Sequence, residues 1–330
     1  MRLSYVSPFS TAPHRRHATG YAELAESCGY EAVWMPEAFG SDAFTLLGLL
    51  AGKTRRLRLA TGIVNVFSRS PTLLAQSFAT LDEMSDGRAI IGLGTSGPIV
   101  IENWHGSRFE NPLSRTREVV DIIRLALSGE RVDHDGARFQ LRGFRMPVRP
   151  VQKRIPIYLA TLKARSVRET GRIADGWLPT HVSVRHLERV RHPLCAGAES
   201  VGRNPDGIDM AAMTLAACSE DGDSARGLCR EHLAYYIGGM GQFYHELMHG
   251  YGHGDVADRI KSAWLAGNRA QAASVIPRPI LDDLVIAGTP AECRRALEIR
   301  KQAGFRHIVA FPPHGADVET VRTTLRVLAG

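Results

Sequence analysis

No apolar run in this 330-residue sequence approaches the roughly 18 consecutive residues that a membrane-spanning helix needs, so no membrane partner is expected. The opening MRLSYVSPFSTAPHRRH has no apolar core of the signal-peptide kind, and a secretory leader is not expected either. Cysteine is scarce. The five residues Cys28, Cys195, Cys218, Cys229 and Cys293 are scattered, odd in number and form no C-x-x-C. That argues against a disulfide framework and for small buried thiols in a reducing, cytoplasmic setting. There is no Pro/Ser-rich linker, low-complexity tract or internal repeat, so one domain is expected across 1–330. A block of positive charge is also missing. The net charge is +7, but its densest clusters are only Arg55-Arg56 with Arg58 and Arg294-Arg295. Nucleic-acid binding wants a concentrated basic stripe with aromatic partners and is excluded. A mildly basic surface suits the attraction of an anionic small molecule.

What the sequence does contain is alternation. Apolar runs read as strands at LSYVS (3–7), EAVWMP (31–36), LRLATGIVNV (57–66), AIIGLG (89–94), IPIYLA (155–160), GWLPTH (176–181), IDMAAMTLAACS (208–219) and HIVAFPP (307–313). Amphipathic helical segments separate them, with a small hairpin around HDGA and several helices filling 221 to about 285. The strands are near-continuous apolar runs, as a parallel sheet covered on both faces requires. Eight such units in one α/β chain of this length predict a (β/α)8 TIM barrel with inserted segments around 98–145 and 232–285.

Two motifs point elsewhere. GLGTSG (92–97) has the form of a dinucleotide-binding fingerprint, but Pro98 follows and no helix opens inside it, so it cannot present backbone N–H groups to a pyrophosphate. HELMHGYGHGD (245–255) contains H-E-x-x-H, in which His245 and His249 would lie one helical turn apart, Glu246 would be a general base and Asp255 could stand as third ligand. A zinc protease of the extended motif needs a downstream Met-turn, and no methionine follows Met248. His245, His249 and His253 are therefore read as a helix-surface or rim stripe, and no metal site is expected.

The stretch TLDEMSDGRAIIGLGTSGP (80–98), then ENWHG and RTREVVDIIR, resembles the bacterial luciferase-like superfamily. Within it the sequence is similar to the coenzyme F420-dependent reductases and dehydrogenases of the methylenetetrahydromethanopterin reductase type. PIYLATLKARSVRETGRIADGWLPTH (156–181) and the segment from GQFYHELMHG to TPAECRRAL extend the resemblance over nearly the whole chain. It implies a barrel with a flavin or deazaflavin across the C-terminal ends of the strands.

By the same resemblance, Glu37 falls at an acidic position near the ring, and Gly62-Ile63 at a non-proline cis peptide that forms a bulge behind it. Such a bond costs about 2.5–4 kcal/mol. Asn65 falls at a polar position facing the ring, Thr95, Ser96 and Gly97 at the pocket floor, Lys163, Ala164 and Arg165 at the phosphate end, and Gly176-Trp177 in the sixth strand. Asn65 also suits the capping of a turn. The chain departs from the family pattern at Leu162-Lys163, where Gly-Gly or Gly-Pro is usual, and at Ala38, where the sugar-phosphate dehydrogenases carry a catalytic histidine. Phe9, Trp104, His181, Phe311 and His314 are the substrate-side candidates. The implied reaction is hydride transfer between F420 and a small organic substrate, with Glu37 or His105 handling the proton. An FMN-dependent monooxygenase is the alternative within the fold, and a homodimer is expected.

Overall fold

In the computed structural model, which describes residues 1–8, 11–38 and 40–330, eight parallel strands close into a barrel. They are β1 (Arg2–Val6), β2 (Ala32–Met35), β3 (Arg58–Thr61), β4 (Ala89–Gly94), β5 (Ile157–Ala160), β6 (Gly176–Trp177), β7 (Asp209–Cys218) and β8 (His307–Phe311). Each pairs with the next, and β8 pairs back onto β1 from Arg2↔His307 to Tyr5↔Ala310. The TIM barrel expected from the alternation is the observed fold.

Strand periodicity divides the apolar residues into two layers. Trp34, Ala60, Ile90, Tyr158, Met213 and Val309 fill the barrel interior, where the Trp34 and Tyr158 rings meet edge to face at 5.1 Å. Their strand neighbours Val33, Leu59, Ile91, Leu159, Ala212 and Ile308 pack outward against the helices. This double burial is why the strands read as continuous apolar runs. The helices start where local chemistry allows. Pro71 follows the Ser70 cap, Thr289 and Glu292 form a reciprocal capping box, and Asp317 accepts from Thr320 N at 2.7 Å.

The N-terminal mouth is plugged by polar groups. Asp209 receives Tyr158 Oη and His307 Nδ1, each at 2.8 Å, and pairs with Arg2. The C-terminal mouth carries the inserted segments. After β4 come a π-helical turn (Val100–Trp104), the helix Pro112–Ser128 and an antiparallel hairpin (Val132–Asp135 with Gln140–Phe144). After β7 the helices expected from 221 to about 285 are five, Gly222–Gly239, Phe243–Gly250, Gly254–Leu265, Arg269–Ser274 and Arg278–Leu284. A short strand Ile286–Gly288, not anticipated from the sequence, then pairs with β7.

Candidate active site

The third strand does not run straight to the rim. It breaks at Gly62-Ile63 and resumes as Val64–Asn65. Ala60 lies opposite Ile90 while Val64 lies opposite Leu93, so this strand spends one residue more than β4 over the same span. That is a β-bulge. Gly62 N donates to Met35 O at 2.7 Å and Glu37 N to Ile63 O at 3.1 Å. On the other side the Thr61 hydroxyl replaces the interrupted ladder, donating to Gly92 O at 2.7 Å and accepting from Gly92 N at 2.9 Å. A Cβ on Gly92 would overlap the Thr61 carbonyl, and one on Gly94 would lie 2.8 Å from Ile63 Cδ1. The G-x-G of GLGTSG therefore admits the bulge and has no role with a dinucleotide. The expected cis bond at Gly62-Ile63 is corrected here. Every described peptide bond is trans. The displacement comes from the inserted residue, for which the two glycines make room.

Around this bulge the rim is polar. Asn65 is buried, and its Oδ1 accepts from Phe67 N (3.0 Å) and Ser68 N (2.7 Å), so it does cap a turn. The oxygen being taken, its NH2 faces His105 Nε2 at 3.4 Å. Nε2 then accepts, and the His105 ring proton sits on Nδ1. His105 ends the π-helical turn, and its neighbour Trp104 is 62% exposed. Thr95, Ser96 and Gly97 line the exit of β4, with Ser96 held at φ 56°. Glu37 is half-buried, and both its oxygens are engaged: Arg69 grips them with two guanidinium nitrogens, and Ala43 N adds a bond to Oε2 at 3.0 Å. That hydrogen bond to Glu37 is the main reason the Arg69 guanidinium is held above its ordinary pKa. Glu37 is thus a carboxylate clamped from both oxygens.

Opposite the bulge, β6, β8 and the helix Gly222–Gly239 gather an aromatic cluster. His181 is 3% exposed with φ 53°, and its ring lies 5.0 Å from Tyr236, 5.5 Å from Tyr244 and 6.5 Å from His232. Neither of its ring nitrogens has a hydrogen-bond partner among the described residues. Burial pushes its pKa down to about 3, so the ring is neutral. His232 packs on Phe311 at 5.0 Å and His314 at 4.2 Å. His314 N donates to His232 Nδ1 at 2.9 Å, which leaves the proton on Nε2, itself buried and unpartnered. Burial, reinforced by the other two histidines, depresses His232 well below the ordinary imidazole value, and burial alone lowers His314. Two further substrate-side candidates, Phe311 and His314, are thus joined to His181 through His232. His232, Tyr236 and Tyr244 were not foreseen; they come from helices whose packing no local signal announces. Phe9 lies outside the described residues.

Other candidates fall elsewhere. Lys163, Ala164 and Arg165 open the helix Ala164–Ile173, exposed and without a side-chain cap. Lys163 Nζ pairs with Glu246 at 3.1 Å. Gly176 and Trp177 are not brought to the rim. A Cβ on Gly176 would overlap the Tyr158 ring inside the barrel, while Trp177 packs outward on Val167, Leu194 and Ala198 and donates from Nε1 to Thr161 O at 3.0 Å. Their place in this strand follows from packing.

Among the described residues, buried polar atoms without partners concentrate at this mouth: Ser7 Oγ after β1, Ser68 Oγ after β3, Thr180 Oγ1 and the His181 ring after β6, and His232 Nε2 above β7. Such groups are costly unless a polar ligand or water satisfies them. Loops at the C-terminal ends of barrel strands are where this architecture places its chemistry. Fold and site together define a (β/α)8-barrel enzyme.

The chain belongs to the luciferase-like monooxygenase family, whose profile matches residues 1–307. A Mycobacterium tuberculosis protein named as a coenzyme F420-dependent oxidoreductase is 33% identical over 327 residues, covering 94% of this chain and 93% of its own. The solved structure of the coenzyme F420-dependent tetrahydromethanopterin reductase from Methanopyrus kandleri superimposes with a TM-score of 0.86 at 24% identity, covering 100% of this chain and 98% of that one. The oxygenating constituent of 3,6-diketocamphane monooxygenase from Pseudomonas putida, solved with FMN, gives 0.74 at 17% identity, covering 100% and 97%. No helix among the described residues is long and apolar enough to cross a membrane.

Proposed function

We propose that this protein is an F420-dependent oxidoreductase that transfers a hydride between the deazaflavin and a small uncharged organic substrate. The observation that carries the reading is the concentration of unpaired, buried polar groups at the C-terminal mouth, facing a bulged strand. When bound, the deazaflavin supplies or accepts the hydride. Ile63 on its bulge would back the ring, Asn65 and Thr95–Gly97 would edge it, and the uncapped N-terminus at Lys163–Arg165 would hold phosphate. Neutral His181 and the Nε2–H of His232 hold and orient a substrate oxygen, and the surrounding tyrosines and Phe311 exclude water. His105 handles the accompanying proton, because Glu37 is held by Arg69 and instead braces the loop behind the bulge.

The choice of F420 over FMN is supported by the name of the Mycobacterium tuberculosis relative; the Pseudomonas putida neighbour keeps an FMN monooxygenase as the second reading. Equilibrium dialysis against each cofactor separates the two. Retention of F420 at least tenfold tighter than FMN, without oxygen uptake, is expected. FMN retention with oxygen consumption would sink the proposal. We further read the chain as a single domain acting on a small molecule. Its five unpaired thiols fit a cytoplasmic setting, and the family resemblance suggests a homodimer.

A further inference from the structure

The H-E-x-x-H segment is not absorbed by the barrel chemistry, and the structure gives it a different third member from the one expected. On the helix Phe243–Gly250, His245 and His249 lie one turn apart with ring centroids 4.7 Å apart. Asp255 does not join them. Asp258, one turn further along the next helix (Gly254–Leu265), turns its Oδ1 between the two rings, 2.8 Å from His245 Nε2 and 2.9 Å from His249 Nε2. Three donor atoms from two helices, all within 4.8 Å of one another, converge on one point. We propose that His245, His249 and Asp258 form a binding site for one divalent, imidazole-preferring cation of the zinc class, which clamps these two helices together.

Zinc takes nitrogen and carboxylate oxygen at about 2.0–2.2 Å in a tetrahedron, which sets its ligands about 3.3 Å apart. The observed 2.8–2.9 Å separations need widening by only a few tenths of an ångström. Both imidazoles offer the same atom, Nε2, toward the shared oxygen. His245 is largely covered, while His249 and Asp258 are open enough to admit an ion and a water ligand.

The site is structural rather than hydrolytic. Glu246, which a zinc protease would use as base, is engaged with Lys163 at 3.1 Å. The clamped helix carries Tyr244, whose ring packs against His181. A bound ion would therefore stiffen one wall of the active mouth without entering it.

The test uses the untagged full chain, stripped with a chelator and titrated with zinc against a chromophoric competitor. One zinc per chain is expected, with affinity reduced tenfold or more in His249→Gln and in Asp258→Asn, two exposed positions whose replacement leaves the far-ultraviolet circular dichroism unchanged. Cobalt loading should give the intense visible bands of a four-coordinate site in the wild type and not in Asp258→Asn. Substoichiometric zinc, or equal affinity in Asp258→Asn, overturns the proposal. Both readouts are independent of catalytic turnover.

Discussion

His181 is the least comfortable residue at the mouth. It occupies a left-handed backbone conformation that few non-glycine residues adopt, and it buries two nitrogens without partners. The unfolded imidazole titrates near 6.5, the buried one near 3. Between those values only the unfolded chain takes up the proton, so stability is full above about pH 6.5 and falls as the pH drops toward 3. One such histidine contributes a slope of roughly 1 kcal/mol per pH unit, and His232 and His314, lowered in the same direction, steepen it. Urea unfolding between pH 7 and 4 should show this slope, and His181→Asn, which tolerates the left-handed backbone, should flatten it. A slope unchanged by that substitution would mean that His181 is not the buried neutral group described. Glu37 calls for a different measurement. If it braces the loop through Arg69, Glu37→Gln should weaken cofactor binding several-fold and leave the pH profile of turnover in place; His105→Gln should alter that profile instead. The resemblance to the family placed Glu37 and Asn65 near the ring. It gave no sign of Arg69, which reaches Glu37 from 32 residues away.

At the scale of elements, the bulge joins two features that look unrelated in the sequence. Thr61 ends β3, and Gly92 sits mid-strand in β4, where a glycine weakens a sheet unless another backbone comes close. Thr61→Val keeps the shape but leaves the Gly92 N–H buried without an acceptor, which should cost about 1–3 kcal/mol, whereas Thr61→Ser retains the hydroxyl and most of the stability. Chemical denaturation reads both, and F420 titration should show weaker binding only for the valine variant. The strand alternation was legible because each strand is short, apolar and punctuated by glycine or proline. The bulge itself was reached through family resemblance, and its trans geometry could not be, since an extra residue and a cis bond leave the same trace in a sequence. That helices fill 221–285 was legible from their apolar spacing, but not the turns at Gly241, Gly252 and Gly267 that divide them. Pairing between His245 and Asp258 depends on where those turns fall, so their meeting was not legible either.

Across the whole molecule, the mouth of the barrel is shared between two unlike halves. On the β3–β4 side lie the bulge, Asn65, His105 and the rim of Thr95–Gly97; on the β6–β8 side lie three depressed histidines among tyrosines and Phe311. That division matches a redox ring seated on one half and a neutral substrate on the other, and it assigns electrostatics to the exterior. The chain carries a net charge of +7 and a sequence pI of about 9.4, while the aromatic half packs ring on ring around a neutral, buried His181. Long-range attraction should therefore act on an anionic cofactor during its approach and fall away once the ring is seated. Salt screens such fields over about 10 Å at 0.1 M. Stopped-flow mixing with F420 at rising ionic strength should then show association slowing several-fold while dissociation changes little. A neutral substrate should bind to the loaded protein with no salt dependence. Dissociation that accelerates with salt as steeply as association slows would instead place the decisive charge at the seated contacts, with Lys163 at the helix N-terminus the first residue to replace.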